Sequence, residues 1–465
     1  MREIGGVLGE IVASKRLDVA ARLDGVSLED LRGRAEPTTR SLKAALAGPG
    51  ARFVMEVKRA SPSKGVLRQG VDPAAIARAY RAAADAISVL TDAPYFGGSL
   101  GDLAAVRREF EGPILAKDFV IDPRQVPEAR LHGADAVLVM LSVLDDAEAA
   151  AVIAEARRLG MDALVETHDE AEVARAVALG AEIVGINNRD LKSLSVHLAV
   201  TERLAGLVPA DRLVISESGI ESRADVERLA PYADGFLVGS SLMSAHDPAL
   251  AARALAFGRV KVCGLTSPED ARLAAGSGAS LAGLIMVPGT PRAVSRAQAE
   301  AIAAAVSIPA VGVFRNEKPM VVADAARALG LAAVQLHGEE DAAYIRALRP
   351  LLPEGTEIWG VAAVGADLPA PRLGADRTLF DTKAGKTSGG TGKVFDWSRI
   401  SGREDLVSGI VAGGLNPANA AQAAALGAYA LDVCSGVEAV PGTKDPAKLQ
   451  AFFEALRVPV RGTRS

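Results

Sequence analysis

The sequence predicts an α/β protein made of two consecutive (β/α)8 TIM barrels. Its 465 residues exceed the size at which one hydrophobic core stops growing. Short apolar runs alternate with longer helical patterns, as in repeated βα units of a parallel sheet. Hydrophobic residues make up 49% of the chain but aromatic residues only 4%. This composition suits buried parallel strands covered by helices rich in alanine.

The apolar runs fall into two sets of eight. The first set reads FVMEV, AISVL, PILAK, AVLVML, DALVE, IVGIN, LVISE and GFLVG, and the second reads RVKVC, LAGLIM, PAVGVF, AAVQLH, EIWGVA, RTLFD, VSGIVAGG and YALDV. Eight βα units in roughly 200 to 250 residues correspond to one barrel. We therefore expect domains at residues 1–257 and 258–465, with the helical patterns before the first strand covering one end of the first barrel.

Charge and targeting patterns exclude several classes of partner. The net charge of −5 and the absence of a dense Lys/Arg block give no reason to bind nucleic acid. The N-terminus carries charge within its first three residues, unlike a secretion signal. The uncharged stretch 301–314 is too short to span a bilayer. Two cysteines and five histidines indicate neither a disulfide framework nor a metal site. We expect a cytoplasmic monomer that binds phosphorylated small molecules.

An internal repeat marks the end of both barrels. SGIESRADVERLAPYADGFLVGSS and GGLNPANAAQAAALGAYALDVCSG align without gaps, which places Gly219 on Gly414 and Ser240 on Ser435. TIM barrels often bind phosphate after strands seven and eight, where small residues leave backbone N–H groups accessible. Glycines that only form tight turns are the alternative. The duplication favours a phosphate site in each half.

Charged residues end several strands of the first half. Glu56 and Lys58 share one face of a strand, Lys117 and Glu166 each end an apolar run, and Asn187 ends another. Burying such charges singly costs several kcal/mol, so they indicate either a chain of ion pairs or a catalytic site. The set contains general acids and bases without a nucleophile or a metal cluster. It favours proton transfer on a phosphorylated substrate.

The first half resembles indole-3-glycerol phosphate synthase. The motifs are EVKRASPSKG, APYFGGSLGDL, AKDFVIDPRQVPEARLHGADAVLVMLSVL, VETHDEAE, GINNRDL, SESGI and FLVGSSLM. The resemblance implies that Lys117 is the general acid and Glu166 a second proton-transfer group, while Lys58 steers the substrate carboxylate. A lysine suits the acid role only if burial or Lys58 lowers its pKa towards neutrality. It further implies supporting residues that orient the ligand (Glu56, Asn187, Ser218 and Arg189) or hold its phosphate (Ser61, Gly219, Gly239 and Ser240).

The second half ends its strands with a different set. Lys261 and Cys263 share a face of the first strand, Asp381 ends the sixth, and Arg292 and His337 follow the second and fourth. An isolated strand cysteine is usually an inert core residue. An acid, a candidate base and an anion-binding arginine at strand ends favour catalysis instead.

This half resembles phosphoribosylanthranilate isomerase, through KVCGLTSPEDA, GLIMVPGTPR, VGVFRN, AAVQLHGEED, LFDT, GGTGKVFDW, VAGGLNPAN, LDVCSGVE and PGTKD. The resemblance implies Asp381 as general acid, Cys263 as general base and Arg292 as the ligand of the anthranilate carboxylate, without any cofactor. Gly413, Gly414, Asp432 and Ser435 would surround the phosphate, and His337 would contact substrate. We interpret Cys434 as structural, and we expect Lys261 to favour the Cys263 thiolate.

Two alternatives remain at this point. Two other phosphate-binding barrels, such as the isomerase of histidine biosynthesis, would use paired carboxylates in place of Cys263. Alternatively, one barrel is catalytically silent and only binds a phosphorylated ligand. Together the two resemblances imply consecutive steps of tryptophan biosynthesis, because the product of the second barrel is the substrate of the first.

Overall fold

The computed structural model describes residues 5–61, 65–68, 70–190, 193–365, 370–384, 387–388 and 394–462. The chain divides into two compact units. One contains the residues up to Ala256 together with the C-terminal segment from Val458, and the other is Phe257–Arg457. Among the described residues, no helix has both the length and the apolar character needed to cross a membrane.

The first unit contains a closed barrel of eight parallel strands, in which each strand pairs with its neighbours in chain order and the last pairs with the first. The strands are β1 Arg52–Val57, β2 Ala86–Leu90, β3 Ile114–Lys117, β4 Ala136–Met140, β5 Asp162–Thr167, β6 Ile183–Asn187, β7 Leu213–Glu217 and β8 Gly235–Val238. All eight coincide with the predicted apolar runs. The prediction of a first (β/α)8 barrel is confirmed.

Local sequence signals start the surrounding helices. Asp145 and Ser222 each form a capping box with the acidic residue three positions later, which satisfies otherwise unpaired helix N–H groups. The helices after the first strand are Pro73–Tyr80, Ala93–Phe96, Leu100–Arg107, Gln125–Leu131, Asp146–Arg158, Glu170–Ala178, Ala199–Leu204, Arg223–Leu229, Ser240–Ser244 and Pro248–Phe257, with a 3-10 turn at Ala205–Leu207.

The N-terminal segment contributes three helices, Gly6–Arg22, Leu28–Arg34 and Leu42–Leu46. Lys15 fixes the first of them, because its Nζ lies 2.8 Å from carboxylate oxygens of both Asp92 and Asp118, beyond the ends of β2 and β3. Further along, Ser41 Oγ donates to Asp162 at the start of β5. The segment therefore contacts the carboxyl ends of the strands first and their amino ends later.

The C-terminal segment also belongs to the first unit. The Ala51 N–H donates to the Val458 carbonyl at 2.8 Å, and Arg461 Nε lies 3.1 Å from Asp234 Oδ2. These contacts lie at the amino ends of β1 and β8. The segment is therefore held at the amino-terminal end of the first barrel, opposite the carboxyl ends of its strands.

The second unit contains the other predicted closed barrel, which is also confirmed. Its strands are β9 Val260–Cys263, β10 Leu281–Ile285, β11 Ala310–Phe314, β12 Ala333–Leu336, β13 Glu357–Val364, β14 Arg377–Ala384, β15 Ile410–Val411 and β16 Ala430–Val433, and β9 pairs with β16 to close the ring. A short antiparallel strand, Thr387–Ser388, extends the sheet. Two further short strands, Glu438–Val440 and Thr443–Lys444, form an antiparallel hairpin.

The second barrel has shorter covering elements. Its helices are Pro268–Ser277, Arg296–Ala304, Pro319–Leu329, Ala342–Leu348, Ala420–Ala424 and Pro446–Ala455, with 3-10 turns at Arg349–Leu351, Trp397–Arg399, Glu404–Ser408 and Ser435–Val437. Its apolar core includes Val311, Val361, Leu379 and Ile410. Nearer the carboxyl ends of the strands, charged and polar groups replace these apolar side chains.

Candidate active sites

A cavity of about 600 Å³ opens at the carboxyl ends of the strands of the first barrel. Val7, Leu8 and Ile11 of the N-terminal helix form part of its apolar wall. The structure brings all the residues predicted for this half to the cavity: Glu56, Lys58, Ser61, Lys117, Glu166, Asn187, Arg189, Ser218, Gly219, Gly239 and Ser240.

Lys117 lies at the centre of the first cavity between two buried carboxylates. Its Nζ is 2.9 Å from Glu166 Oε2 on β5 and 2.7 Å from Glu217 Oε2 on β7. Glu217 is only 1% exposed. Because all three residues are the last or next-to-last of parallel strands, the barrel holds them at the same height. The arrangement can hold a proton and pass it between a cation and two carboxylates.

The two carboxyl groups differ in acidity. Burial raises the pKa of Glu217, and the negative charge of Glu166 adds to this effect. Burial acts in the same direction on Glu166, but Lys117 and His168 outweigh it and lower the pKa of that carboxyl. Two neighbouring acids with pKa values moved apart are typical of an acid and base pair.

One expectation about Lys117 is wrong. The sequence interpretation required burial or Lys58 to lower its pKa towards neutrality. Burial does act in that direction, but the attraction of Glu166, Glu217 and Glu56 outweighs it, and the pKa is raised above the ordinary lysine value. Lys58 is instead paired with Glu56 at 2.7 Å. Lys117 is therefore protonated at neutral pH before substrate arrives.

Backbone conformation shapes the rim where phosphate binding is predicted. Ser218 has a φ of 66°, in the left-handed region that non-glycine residues seldom occupy. Its carbonyl accepts a hydrogen bond from the buried Asn188 side chain at 3.1 Å. At Gly239, an added Cβ would lie 2.5 Å from Glu56 Oε1, so only glycine fits there.

The polar residues on β6 are fixed by their neighbours. Asn187 Oδ1 accepts the Arg189 N–H at 3.0 Å, and the Asn187 side chain contributes to lowering the pKa of Glu166. Arg189 Nη1 donates to the Leu194 carbonyl at 2.9 Å. Burial lowers the pKa of the Arg189 guanidinium.

The second barrel has a smaller cavity of about 160 Å³ at the same end of its strands. Its lining includes every residue predicted for this half: Cys263, Arg292, His337, Asp381, Gly413, Gly414, Asp432 and Ser435. Gly413 has a φ of 80°, and an added Cβ there would lie 2.9 Å from Asp381 Oδ1. The turn thus requires glycine next to the predicted acid.

Asp381 is placed to retain a proton near neutral pH. Burial raises its pKa to about 6, although the Thr382 N–H opposes the change. His337 Nε2 lies 3.6 Å from Asp381 Oδ2. Burial and the nearby Lys261 lower the pKa of His337 to about 4, so the imidazole is neutral and does not remove the proton from Asp381 by forming an ion pair.

A polar chain inside the barrel reaches from β16 to this histidine. Lys261 is fully buried, and its Nζ donates to Asp432 Oδ2 at 2.8 Å and to Gln335 Oε1 at 2.9 Å. Gln335 Nε2 then lies 3.2 Å from His337 Nδ1. Because the Gln335 amide donates here, His337 carries its proton on Nε2, towards Asp381.

The pKa of the Cys263 thiol is lowered, and the largest cause is a hydrogen bond with Cys434. Burial opposes this effect, and the charge of Lys261 assists it. The expected influence of Lys261 on the thiolate is therefore present, but it is secondary. Cys434, interpreted from the sequence as structural, also lines the cavity.

Arg292 is held by Glu438, which is held in turn by Lys444; the sequence analysis identified neither residue. Arg292 Nε and Nη2 donate to the two oxygens of Glu438 at 2.9 and 2.7 Å. Glu438 Oε1 in turn accepts from Lys444 Nζ at 2.9 Å. Two nitrogens of the guanidinium are thus occupied, and Nη1 remains for a ligand carboxylate.

Glu217 is the clearest residue that the sequence analysis missed. It ends the run LVISE just as Glu166 ends DALVE, so the same rule about charges after apolar runs could have found it. Cys434, Glu438 and Lys444 carry no such pattern. Among the described residues, no group of three or more His, Cys, Asp or Glu side chains has an arrangement that could hold a metal ion.

The fold and the two cavities define a two-barrel enzyme in which each barrel holds a cluster of buried ionisable groups at the carboxyl ends of its strands. Comparisons with known proteins specify it further. Residues 8–255 match the family model of indole-3-glycerol phosphate synthase, and residues 260–455 match that of N-(5'phosphoribosyl)anthranilate (PRA) isomerase. The chain belongs to the family of bifunctional enzymes of tryptophan biosynthesis that join these two activities.

Curated relatives match over nearly their whole length. The tryptophan biosynthesis protein TrpCF of Vibrio parahaemolyticus is 47% identical, covering 98% of this chain and 95% of the relative. TrpCF of Salmonella typhi is 46% identical, over 97% of this chain and 99% of the relative. TrpCF of Vibrio cholerae is 45% identical, over 98% and 97%.

Proposed function

We propose that Lys117 is the general acid of the synthase reaction, in which 1-(2-carboxyphenylamino)-1-deoxyribulose 5-phosphate is cyclised and decarboxylated to indole-3-glycerol phosphate. Lys117 protonates the ketone oxygen as the aromatic ring carbon attacks. Carbon dioxide then leaves, and Glu166 assists the proton transfer that accompanies loss of water. The contact of Lys117 with both Glu166 and Glu217 supports this assignment, because it provides a proton donor and an adjacent acceptor.

The remaining residues of the first cavity bind and orient the substrate. Lys58 steers its carboxylate, and Glu56 holds Lys58. Further orienting contacts come from Asn187, Arg189 and Ser218, and the phosphate is held by Ser61, Gly219, Gly239 and Ser240. Glu217 joins this set as the second carboxylate that positions Lys117.

In the isomerase, Asp381 protonates the furanose ring oxygen of N-(5-phosphoribosyl)anthranilate and opens the sugar. Cys263 removes the C2′ proton from the resulting imine, and the enolamine tautomerises to the ketone. The opposite pKa changes carry this assignment: burial keeps Asp381 protonated up to a pH of about 6, while Cys434 and Lys261 favour the Cys263 thiolate.

Arg292 binds the anthranilate carboxylate, His337 supports Asp381, and Gly413, Gly414 and Ser435 hold the phosphate. Asp432 was predicted to lie beside the phosphate. Its carboxylate is paired with Lys261 and would repel an anionic group, so we assign it to holding Lys261 instead.

We further propose that the synthase occupies residues 1–257, that the isomerase extends from residue 258 to Arg457 rather than to the predicted 465, because the segment from Val458 packs in the first unit, and that the chain acts as a cytoplasmic monomer. The ranges of the two family matches support the division. The two free cysteines support a reducing compartment.

A silent barrel is not favoured, because both cavities contain an acid and a base. Two single changes test the assignments. Glu166→Gln should reduce indole-3-glycerol phosphate formation, and Cys263→Ser should slow the loss of phosphoribosylanthranilate fluorescence. Each variant should retain the other activity, which serves as an internal control for folding. Unchanged rates in either variant would refute the corresponding role.

A further inference from the structure

We propose that Cys263 and Cys434 form a reversible disulfide in the presence of a peroxide, and that this bond switches off the isomerase while the synthase stays active. The two residues are the only cysteines of the chain, and both thiols are free. They come from strands at opposite ends of the second barrel's sequence, yet both line the same cavity.

Strand register places the two residues side by side. Strands β9 and β16 are parallel neighbours, with Lys261 opposite Asp432 and Val262 opposite Val433. Cys263 is the next residue on β9, and Cys434 follows directly after the last residue of β16. Neighbouring strands lie about 4.8 Å apart, which falls within the Cα separation of about 4.4–6.8 Å that disulfides require.

The side chains also share a direction. Lys261 and Asp432 both point into the barrel, where their charged groups meet at 2.8 Å. Since alternate residues of a strand face the same side, the thiol of Cys263 lies on this inner side, one step nearer the cavity. Cys434 lines the same cavity as Cys263, and its interaction with the Cys263 thiol is the largest cause of that thiol's lowered pKa.

Lys444 fixes the backbone of both cysteines. Its Nζ donates to the Cys263 carbonyl at 2.6 Å and to the Cys434 carbonyl at 3.3 Å. Lys444 is itself almost fully buried and is anchored by Glu438. One ammonium group therefore holds the two backbone segments together, so closure of the bond requires little movement of the strands.

The chemistry starts from the base that the proposed isomerase mechanism already needs. The Cys263 thiolate attacks one oxygen of hydrogen peroxide, the O–O bond breaks, and hydroxide leaves to give a sulfenic acid. The sulfur of Cys434 then attacks the Cys263 sulfur, the S–O bond breaks, and the second oxygen leaves as water with the Cys434 proton. The two thiols are oxidised and the peroxide is reduced to water.

The cavity admits peroxide to Cys263 but excludes bulky reagents. Cys263 is 6% exposed, and the cavity of about 160 Å³ has room for several molecules of the size of water or peroxide. Substrate in the cavity would cover both sulfurs. We therefore expect a saturating substrate or product analogue to slow oxidation.

The test uses the full reduced chain treated with hydrogen peroxide and then with dithiothreitol. We expect isomerase activity to fall in proportion to the fraction of protein that has lost both free thiols and two hydrogen atoms of mass, and to return after reduction. Synthase activity should not change. Tryptic peptides containing the two cysteines should be cross-linked before reduction.

Cys434→Ser is the matched control, with each treated sample compared with its own untreated rate. In this variant Cys263 is oxidised without a partner, so no loss of two hydrogens and no cross-linked peptide should appear. The proposal is overturned if wild-type protein loses isomerase activity with both thiols still free, or if the inactivated wild-type protein shows neither the loss of two hydrogens nor the cross-linked peptide.

The functional consequence rests on the proposed role of Cys263 as the base, but the bond itself does not. If Cys263→Ser retains isomerase activity, the catalytic role is wrong, while the mass and peptide measurements on wild-type protein still decide whether the disulfide forms.

Discussion

Replacing Lys117 with methionine removes the proposed acid of the synthase and keeps most of the side-chain volume. Loss of a positioned general acid lowers a rate by about 10² to 10⁴-fold, which corresponds to a barrier higher by about 3–5 kcal/mol. We expect kcat for indole-3-glycerol phosphate formation to fall by that factor. The isomerase rate of the same protein should not change.

The same substitution leaves two buried carboxylates without their cation. Since the oxygens of Glu166 and Glu217 both lie within 2.9 Å of Lys117 Nζ, they are less than about 6 Å apart. At an effective dielectric constant of about 20, two charges at that distance repel by about 3 kcal/mol. One carboxyl will therefore keep its proton at neutral pH, and the variant should still fold.

The pH dependence of stability gives this prediction a sign. The pKa of Glu217 is already about 7, above its ordinary 4.5, and should rise further without Lys117. A carboxyl with a raised pKa stabilises the fold at low pH, and this contribution disappears as pH rises through the folded-state pKa. As pH rises from about 5 to about 8, Tm of the variant should therefore decrease more than Tm of wild type does.

Lys43→Met is the matched control. Lys43 pairs with Glu182 at 2.7 Å, but both side chains are more than 40% exposed, and such pairs contribute about 0–1 kcal/mol. Its synthase rate and its pH profile of Tm should match those of wild type. If Lys117→Met retains synthase activity within about tenfold of wild type, Lys117 is not the general acid.

Three further predictions concern other charges. Asp381→Asn should lower isomerase kcat by about 10² to 10⁴-fold. Wild-type kcat/KM should follow a bell-shaped pH profile, which rises as the Cys263 thiolate forms and falls at higher pH as Asp381 loses its proton; a profile without a falling limb would contradict the role of Asp381. Arg292→Lys should raise the isomerase KM by about ten- to a hundredfold, since a charged hydrogen bond contributes about 1.5–3 kcal/mol, and kcat should change less; an unchanged KM would exclude the carboxylate contact. Lys15→Met removes the cation that pairs with the buried Asp92 and the partly buried Asp118, and should lower the free energy of unfolding by about 3–5 kcal/mol in urea titrations; a loss no larger than that of Lys43→Met would contradict this contribution to stability.

The sequence was sufficient to predict the barrels, because strand periodicity and spacing depend on local residues. Runs such as AISVL and LAGLIM are short, apolar and followed by helical patterns, and each became a strand in the expected order. The predicted site residues also reached the two cavities, since they lie within, near or just beyond the carboxyl halves of strands whose carboxyl ends meet at one face.

Contacts between distant strands were beyond the sequence. The pKa of Lys117 was predicted in the wrong direction because the distances to Glu166 and Glu217, which are 49 and 100 residues away, set its sign. Cys434 was interpreted as structural because no local pattern shows that it lies beside Cys263, 171 positions earlier in the chain. Electrostatics of this kind depend on separations of a few ångströms, which only the folded chain defines.

The most direct test of two independent active sites in one chain is a complementation time course starting from N-(5-phosphoribosyl)anthranilate. Lys117→Met alone should accumulate the ribulose phosphate intermediate, and Asp381→Asn alone should form almost no indole-3-glycerol phosphate. A mixture of the two variants should restore its formation, because each supplies the step that the other lacks. If either substitution abolished both activities, or if the mixture remained inactive, the assignment of one reaction to each barrel would be contradicted.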